Sequence, residues 1–170
     1  MSLELVRESI KVNQVVGENT AQTIVENDII VPDVKPDIAR ILILDGDVYV
    51  NKADTLQDKV LIDGVIRYKI LYISDEEEQA VKSINTSANF TYSMDVPNSR
   101  QGMKCRIKSD VEHIEYEIHH GRKVNIKAII RFFGKVQDEL EHQVVTDMRG
   151  IEDIQILRDK YNVKYYLGRA

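Results

Sequence analysis

Tryptophan is absent from this chain of 170 residues, cysteine occurs once, and there are only three prolines and eight glycines. A single thiol, Cys105, makes no internal disulfide and no paired-cysteine zinc knuckle, so a reducing compartment is the simplest setting. Phosphate-cradling and hydrolase motifs of the GxxxxGK[ST], GxGxxG and GxSxG types are missing, and so few glycines leave little material for a phosphate loop. Aromatics are 6% of the chain, eight Tyr and three Phe, which favours aliphatic and tyrosine packing over a broad aromatic platform. Excess positive charge is lacking too. The formal net charge is −5 and the basic residues are dispersed among acidic ones, which argues against a nucleic-acid partner. No apolar run approaches the roughly 18 residues of a membrane helix, so membrane insertion is not expected. Residues 1–8 carry charges where a signal peptide needs an apolar core, so synthesis in the cytoplasm is expected.

What the chain does have is alternation. Its hydrophobic fraction of 43% supports a core without staples, and its length fits one domain or two small lobes. Apolar and polar residues alternate with a period of two along most of it, which argues for strands with one buried face. Residues 10–16 read as a strand stopping at Gly17, and a second runs from about Thr20 to Val31, where Pro32 denies a ladder donor. Pro32 and Pro36 make the next connection rigid, and a short helical turn is expected at Pro36. Residues 41–52 alternate around Asp45-Gly46, read as a bulge or turn. Residues 60–73 carry the strongest β signal, with Gly64 marking a bend or bulge.

Asp75-Glu76-Glu77-Glu78 reads as a solvated loop, since adjacent carboxylates without spaced ligands do not resemble a calcium site. Residues 88–96 alternate until Pro97. Strands over 103–108 and 111–118 follow, then a hairpin turn at His119-His120-Gly121-Arg122 before a strand over 123–136. Residues 139–147 read as strand or short helix, and 151–157 with 161–166 as a last strand or extended tail. Residues 59–68 echo 123–132. Duplication and the general likeness of two core strands account for this equally well, and either supports two packed β units.

Candidate chemistry is thin. His113 and His119 share a strand face but stand too far apart for one ion, while His120 falls at the turn. Cys105 reads as a small core residue. Asp33 and Asp37 each follow a proline, where aspartate caps turns, and Asp45 and Asp47 around Gly46 read the same way. No catalytic, cofactor-binding or metal-binding residues are assigned.

The run Asp28-Ile29-Ile30-Val31-Pro32-Asp33-Val34-Lys35-Pro36-Asp37-Ile38, followed by Ile41-Leu42, Asp45-Gly46-Asp47-Val48, residues 59–66 and Ile70-Leu71-Tyr72-Ile73, closely resembles the signature of SPOCS (DUF3794) domains of clostridial spore-envelope proteins. The specific part covers roughly residues 10–73. Pro32, Asp33, Lys35, Pro36, Asp37, Asp45, Gly46, Asp63 and Gly64 are its motif residues here, in a structural sense. The resemblance implies a spore-envelope protein made in the mother cell and deposited on the spore surface. Larger relatives carry a LysM module, and no such extension is evident by Ala170.

Together these readings predict a mainly β protein: an antiparallel β-sandwich or two packed β subdomains, with at most short helices. Residues 1–170 form one SPOCS-like module, with about 8–74 and 85–160 as candidate lobes. The expected function is non-enzymatic and structural. It rests on self-assembly (a homo-oligomer or filament) or docking to other spore-envelope proteins through edge strands and terminal arms. Ile10 and Val12 near one end, and Tyr165 and Tyr166 near the other, are the candidate interface residues. The alternative is a module binding cortex glycan through exposed faces of Tyr68, Tyr72, Tyr92, Tyr165 or Tyr166. No cofactor is expected.

Overall fold

The computed structural model describes residues 2–150, 152, 155–160 and 162. Six strands account for its regular structure: β1 (Glu4–Ile30), β2 (Ile38–Leu56), β3 (Lys59–Ser74), β4 (Val81–Asp95), β5 (Lys104–His119) and β6 (Lys123–Arg149). Among the described residues there is no helix, and so none long and apolar enough to cross a membrane. The strands form two three-stranded antiparallel sheets, ordered β1-β6-β5 and β2-β3-β4. A mainly β sandwich is the result.

Two compact units divide the chain. The larger spans Val12–Leu140 and holds the core. Its centre comes from β3 and β6, the middle strands of the two sheets, whose even-numbered side chains point inward. Val60, Ile62, Ile66 and Ile70 from β3, with Val124, Ile126, Ile130 and Phe132 from β6, are fully buried. Residues 59–68 and 123–132, which echo each other in sequence, occupy equivalent central places in the two sheets. Both stretches lie mid-sheet, with a neighbour on each side and one face sealed. Where β3 has Gly64, β6 has Ala128. A side chain at Gly64 would collide with the Phe90 ring (2.4 Å to Cζ) and with the Tyr49 carbonyl (2.7 Å). Residues 8–74 span strands of both sheets, as do residues 85–160.

The smaller unit contains residues 1–11 and 141–170. Its described strand segments are the start of β1 and the end of β6. Thr146 Oγ1 donates to the Val6 carbonyl (3.4 Å), and Ser9 Oγ donates to Glu141. No residue in these segments is buried.

Several local expectations are corrected. β1 does not stop at Gly17 but runs unbroken for 27 residues. Gly17 is there for close approach, since a Cβ would stand 2.8 Å from Val96 Cγ1. The Asp45-Gly46 pair makes neither bulge nor turn. It sits mid-strand, opposite Lys69 and Tyr68, and Gly46 leaves room for Ile114 Cδ1, which a Cβ would approach to 2.9 Å. β3 has no bulge at Gly64. The register shift lies across from it, between Val50 and Lys52 of β2. No helical turn forms at Pro36; the turn is earlier, closed by Lys35 N–H donating to the Pro32 carbonyl (2.8 Å). The two strands expected over 103–108 and 111–118 are one, Lys104–His119, and 139–147 are strand. The hairpin turn after His119 is as expected, with His120 and Gly121 both at positive φ (53° and 70°). Asp75–Glu78 is an exposed loop.

Candidate assembly surface

Five of the motif residues, Pro32, Asp33, Lys35, Pro36 and Asp37, lie together at one end of the larger unit, where the 31–37 connection carries the chain from one sheet to the other. Arg122, from the β5–β6 turn, organises it. Its guanidinium donates to the Asp37 carboxylate and to the carbonyls of Val31 (3.2 Å) and Pro32 (3.4 Å). Asp33 stands 3.6 Å from the same guanidinium and is fully exposed. Main-chain bonds reinforce the contact. Val31 N–H donates to the Arg122 carbonyl (2.8 Å) and Ile38 N–H to the Gly121 carbonyl (2.7 Å). Tyr72 Oη donates to the Pro36 carbonyl (3.0 Å), and Lys35 Nζ donates to the Ser83 carbonyl on β4. Pro32, Asp33, Lys35, Pro36 and Asp37 therefore build a knot between loops. Both aspartates face a common cation, Asp37 in direct contact and Asp33 more loosely.

The remaining motif residues lie apart from this knot. Asp45 and Gly46 are mid-β2, and Gly64 is a packing glycine. Asp63 accepts a cross-strand bond from Thr91 Oγ1 (2.8 Å). The opposite end of the unit is tied by Asp58, whose carboxylate accepts from Asn98 N–H (2.8 Å). Buried Ser99 donates to the Leu56 carbonyl (2.9 Å).

On the sheet containing β6, basic side chains of the middle strand face acids on its neighbours: Lys123 with Asp28 (3.0 Å), Arg131 with Asp110 (2.9 Å) and Lys135 with Glu18 (3.3 Å). A hydrogen bond from Asn125, then one from Lys123, hold Asp28 below the usual carboxylate range. On the other sheet, Asp45, Asp47, Arg67, Lys69, Asn85 and Ser87 line a shallow depression of about 380 Å³, and Arg67 lies over the Tyr49 ring at 4.7 Å. His113 and His119 each face a glutamate of their own strand, Glu115 (3.3 Å) and Glu117 (3.9 Å). Among the described residues, no group of three His, Cys, Asp or Glu is placed to hold a metal ion. Cys105 is half-buried, and burial pushes its thiol pKa up, away from nucleophilic use.

Three of the tyrosines considered for a glycan platform are engaged in packing. Tyr68 and Tyr72 are buried in the core, and Tyr92 stacks on Phe132 (5.4 Å between centroids, 11° between planes). Tyr165 and Tyr166 lie outside the described residues. Of the other interface candidates, Ile10 is 43% exposed in the smaller unit, while Val12 is half-buried in the larger one. In the smaller unit Leu3, Leu5, Val144, Val145, Ile156 and Leu157 are exposed as well.

Two tied ends, ion pairs across the sheet containing β6 and open lateral strands characterise the larger unit. Residues 37–119, just under half the chain, match the family of the SipL SPOCS domain. That match supports a SPOCS-domain protein, and the family suggests a connection with sporulation. The matched segment begins at Asp37 and extends through β4 and β5, beyond the stretch that carried the resemblance in sequence. No curated protein and no solved structure shows significant similarity to the chain.

Proposed function

We propose that this protein is a non-enzymatic structural module of the spore envelope, of coat, exosporium or appendage type. It works by self-assembly or by docking to other spore morphogenetic proteins, using strand edges and terminal arms. In this reading it is made in the mother-cell cytoplasm and laid down on the spore surface.

One observation carries the proposal. The paired segments 4–11 and 141–149 hold no fully buried residue, and Leu5, Ile10, Val144 and Val145 among them are exposed. A two-stranded ribbon without a buried side chain is marginal by itself and gains most from a partner that covers a face or extends an edge. The ion pairs across the sheet containing β6 and the engagement of Asp37 by Arg122 in ordering the 31–37 connection support a structural role over a catalytic one.

Size-exclusion chromatography with light scattering, followed by negative-stain microscopy, tests this reading. Oligomers or filaments that grow with concentration are expected. A monodisperse monomer across a hundredfold concentration range would sink it.

A further inference from the structure

The larger unit has four border strands: β1 and β5 in one sheet, β2 and β4 in the other. Open borders invite pairing with another chain, and proteins usually guard them with charge, proline or bulges. β2 is guarded by three register shifts, by Arg40, Asp45, Asp47, Lys52 and Asp54, and by its contact with β5. β5 carries a shift between Val111 and His113 and a charge at nearly every second residue. β1 carries Glu18, Glu26 and Asp28.

β4 has none of these devices. From Ser83 to Met94 it contains no charged residue, no proline and no glycine, and its register against β3 is unbroken.

Its backbone directions follow from the bonds at its two ends. Val96 N–H donates to the Asp58 carbonyl (3.0 Å), and the Ala80 carbonyl accepts from Ser74 N–H (3.0 Å). Even-numbered groups therefore face β3 and odd-numbered groups face away. Two of the outward carbonyls are capped by side chains from other elements: Ser83 by Lys35 Nζ, and Asp95 by Asn19 Nδ2 (2.6 Å). Between the caps, Asn85, Ser87, Asn89, Thr91 and Ser93 direct their N–H and C=O groups along the open border, and all five side chains are exposed.

We infer that this border pairs antiparallel with β4 of a second copy, about a two-fold axis near Asn89. The inference rests on the self-assembly reading and names the strand that performs it. Self-pairing suits β4 because its pattern is self-complementary. The axis sets Asn85 opposite Ser93 of the second copy, Ser87 opposite Thr91, and Asn89 opposite its own equivalent. These are uncharged side chains that hydrogen-bond across strands. The two three-stranded sheets become one of six strands, with an isologous interface that closes at two copies.

Sedimentation velocity on the full chain tests the pairing with two variants. Asn89→Lys places like charges face to face on the axis and leaves every bond to β3 intact. It should weaken association at least tenfold with an unchanged circular dichroism spectrum. Asn89→Cys in a Cys105→Ser background should form a covalent dimer on oxidation, because hydrogen-bonded antiparallel partners stand about 5.5 Å apart at Cα, within disulfide reach. If the wild type associates, yet Asn89→Lys leaves that association untouched and Asn89→Cys forms no disulfide dimer, β4 pairing is wrong and self-assembly stands. If the wild type stays monomeric throughout, both fail.

Discussion

Arg122 and Asp37 are 85 residues apart in sequence and joined directly in space, guanidinium to carboxylate, at the point where the chain crosses between sheets. The same guanidinium also holds the carbonyls of Val31 and Pro32, so one side chain orders the whole proline-rich connection. Arg122→Ala should therefore lower stability by about 1–2 kcal/mol, the range for charge-assisted bonds in a half-exposed setting. Arg122→Lys should recover little of it, because a point charge cannot serve three acceptors in a planar fork. Asp33→Asn should stay within about 0.5 kcal/mol, since Asp33 is fully exposed and 3.6 Å from its partner. Urea denaturation of the three variants checks the order.

Glycines in this fold make room for neighbours, and the cost of filling them depends on what those neighbours are. Gly64→Ala would drive a methyl into the Phe90 ring and the Tyr49 backbone, neither of which yields easily. A loss of about 2–3 kcal/mol is expected. At Gly134 the obstacle is the Met94 thioether end, at 1.9 Å from Cε, which can swing aside. Gly134→Ala should cost clearly less than Gly64→Ala, as thermal melts of the pair will show.

Tyr68 is buried with its hydroxyl unpartnered, and burial pushes its pKa up to about 12. The folded state thus keeps a proton that the unfolded chain releases near pH 10. Stability from this group is fully present below about pH 10 and is lost as the pH climbs towards 12. Tyr68→Phe should flatten that alkaline decline. At neutral pH it should raise stability by about 1 kcal/mol, because a buried polar atom without a partner is removed. Denaturation midpoints measured from pH 7 to pH 11 test both statements.

Strand character was legible from the alternation of side chains; strand continuity and strand neighbours were not. Gly17 read as a stop and Asp45-Gly46 as a turn, because glycine in sequence does not distinguish a bend from a close approach. In the structure Val96 and Ile114 occupy the space that those glycines leave. Periodicity also names a face without naming the partner, so the pairing of β1 with β6, from opposite ends of the chain, was hidden. Arg122 was seen only as part of a hairpin turn, since its acceptors lie in the distant 31–37 segment. Yet the uncharged run from Ser83 to Met94 was in plain view, and in a chain that is 30% charged it is the signal that would have marked β4.

Hydrogen–deuterium exchange resolved to single amides along β4, measured at low and high protein concentration, tests the edge account most directly. The even-numbered amides, bonded to β3, should be protected at both concentrations. Those of Asn85, Ser87, Asn89, Thr91 and Ser93 should exchange freely in dilute solution and slow at least tenfold as the protein associates. Odd-numbered amides that exchange equally fast in the associated protein would contradict it.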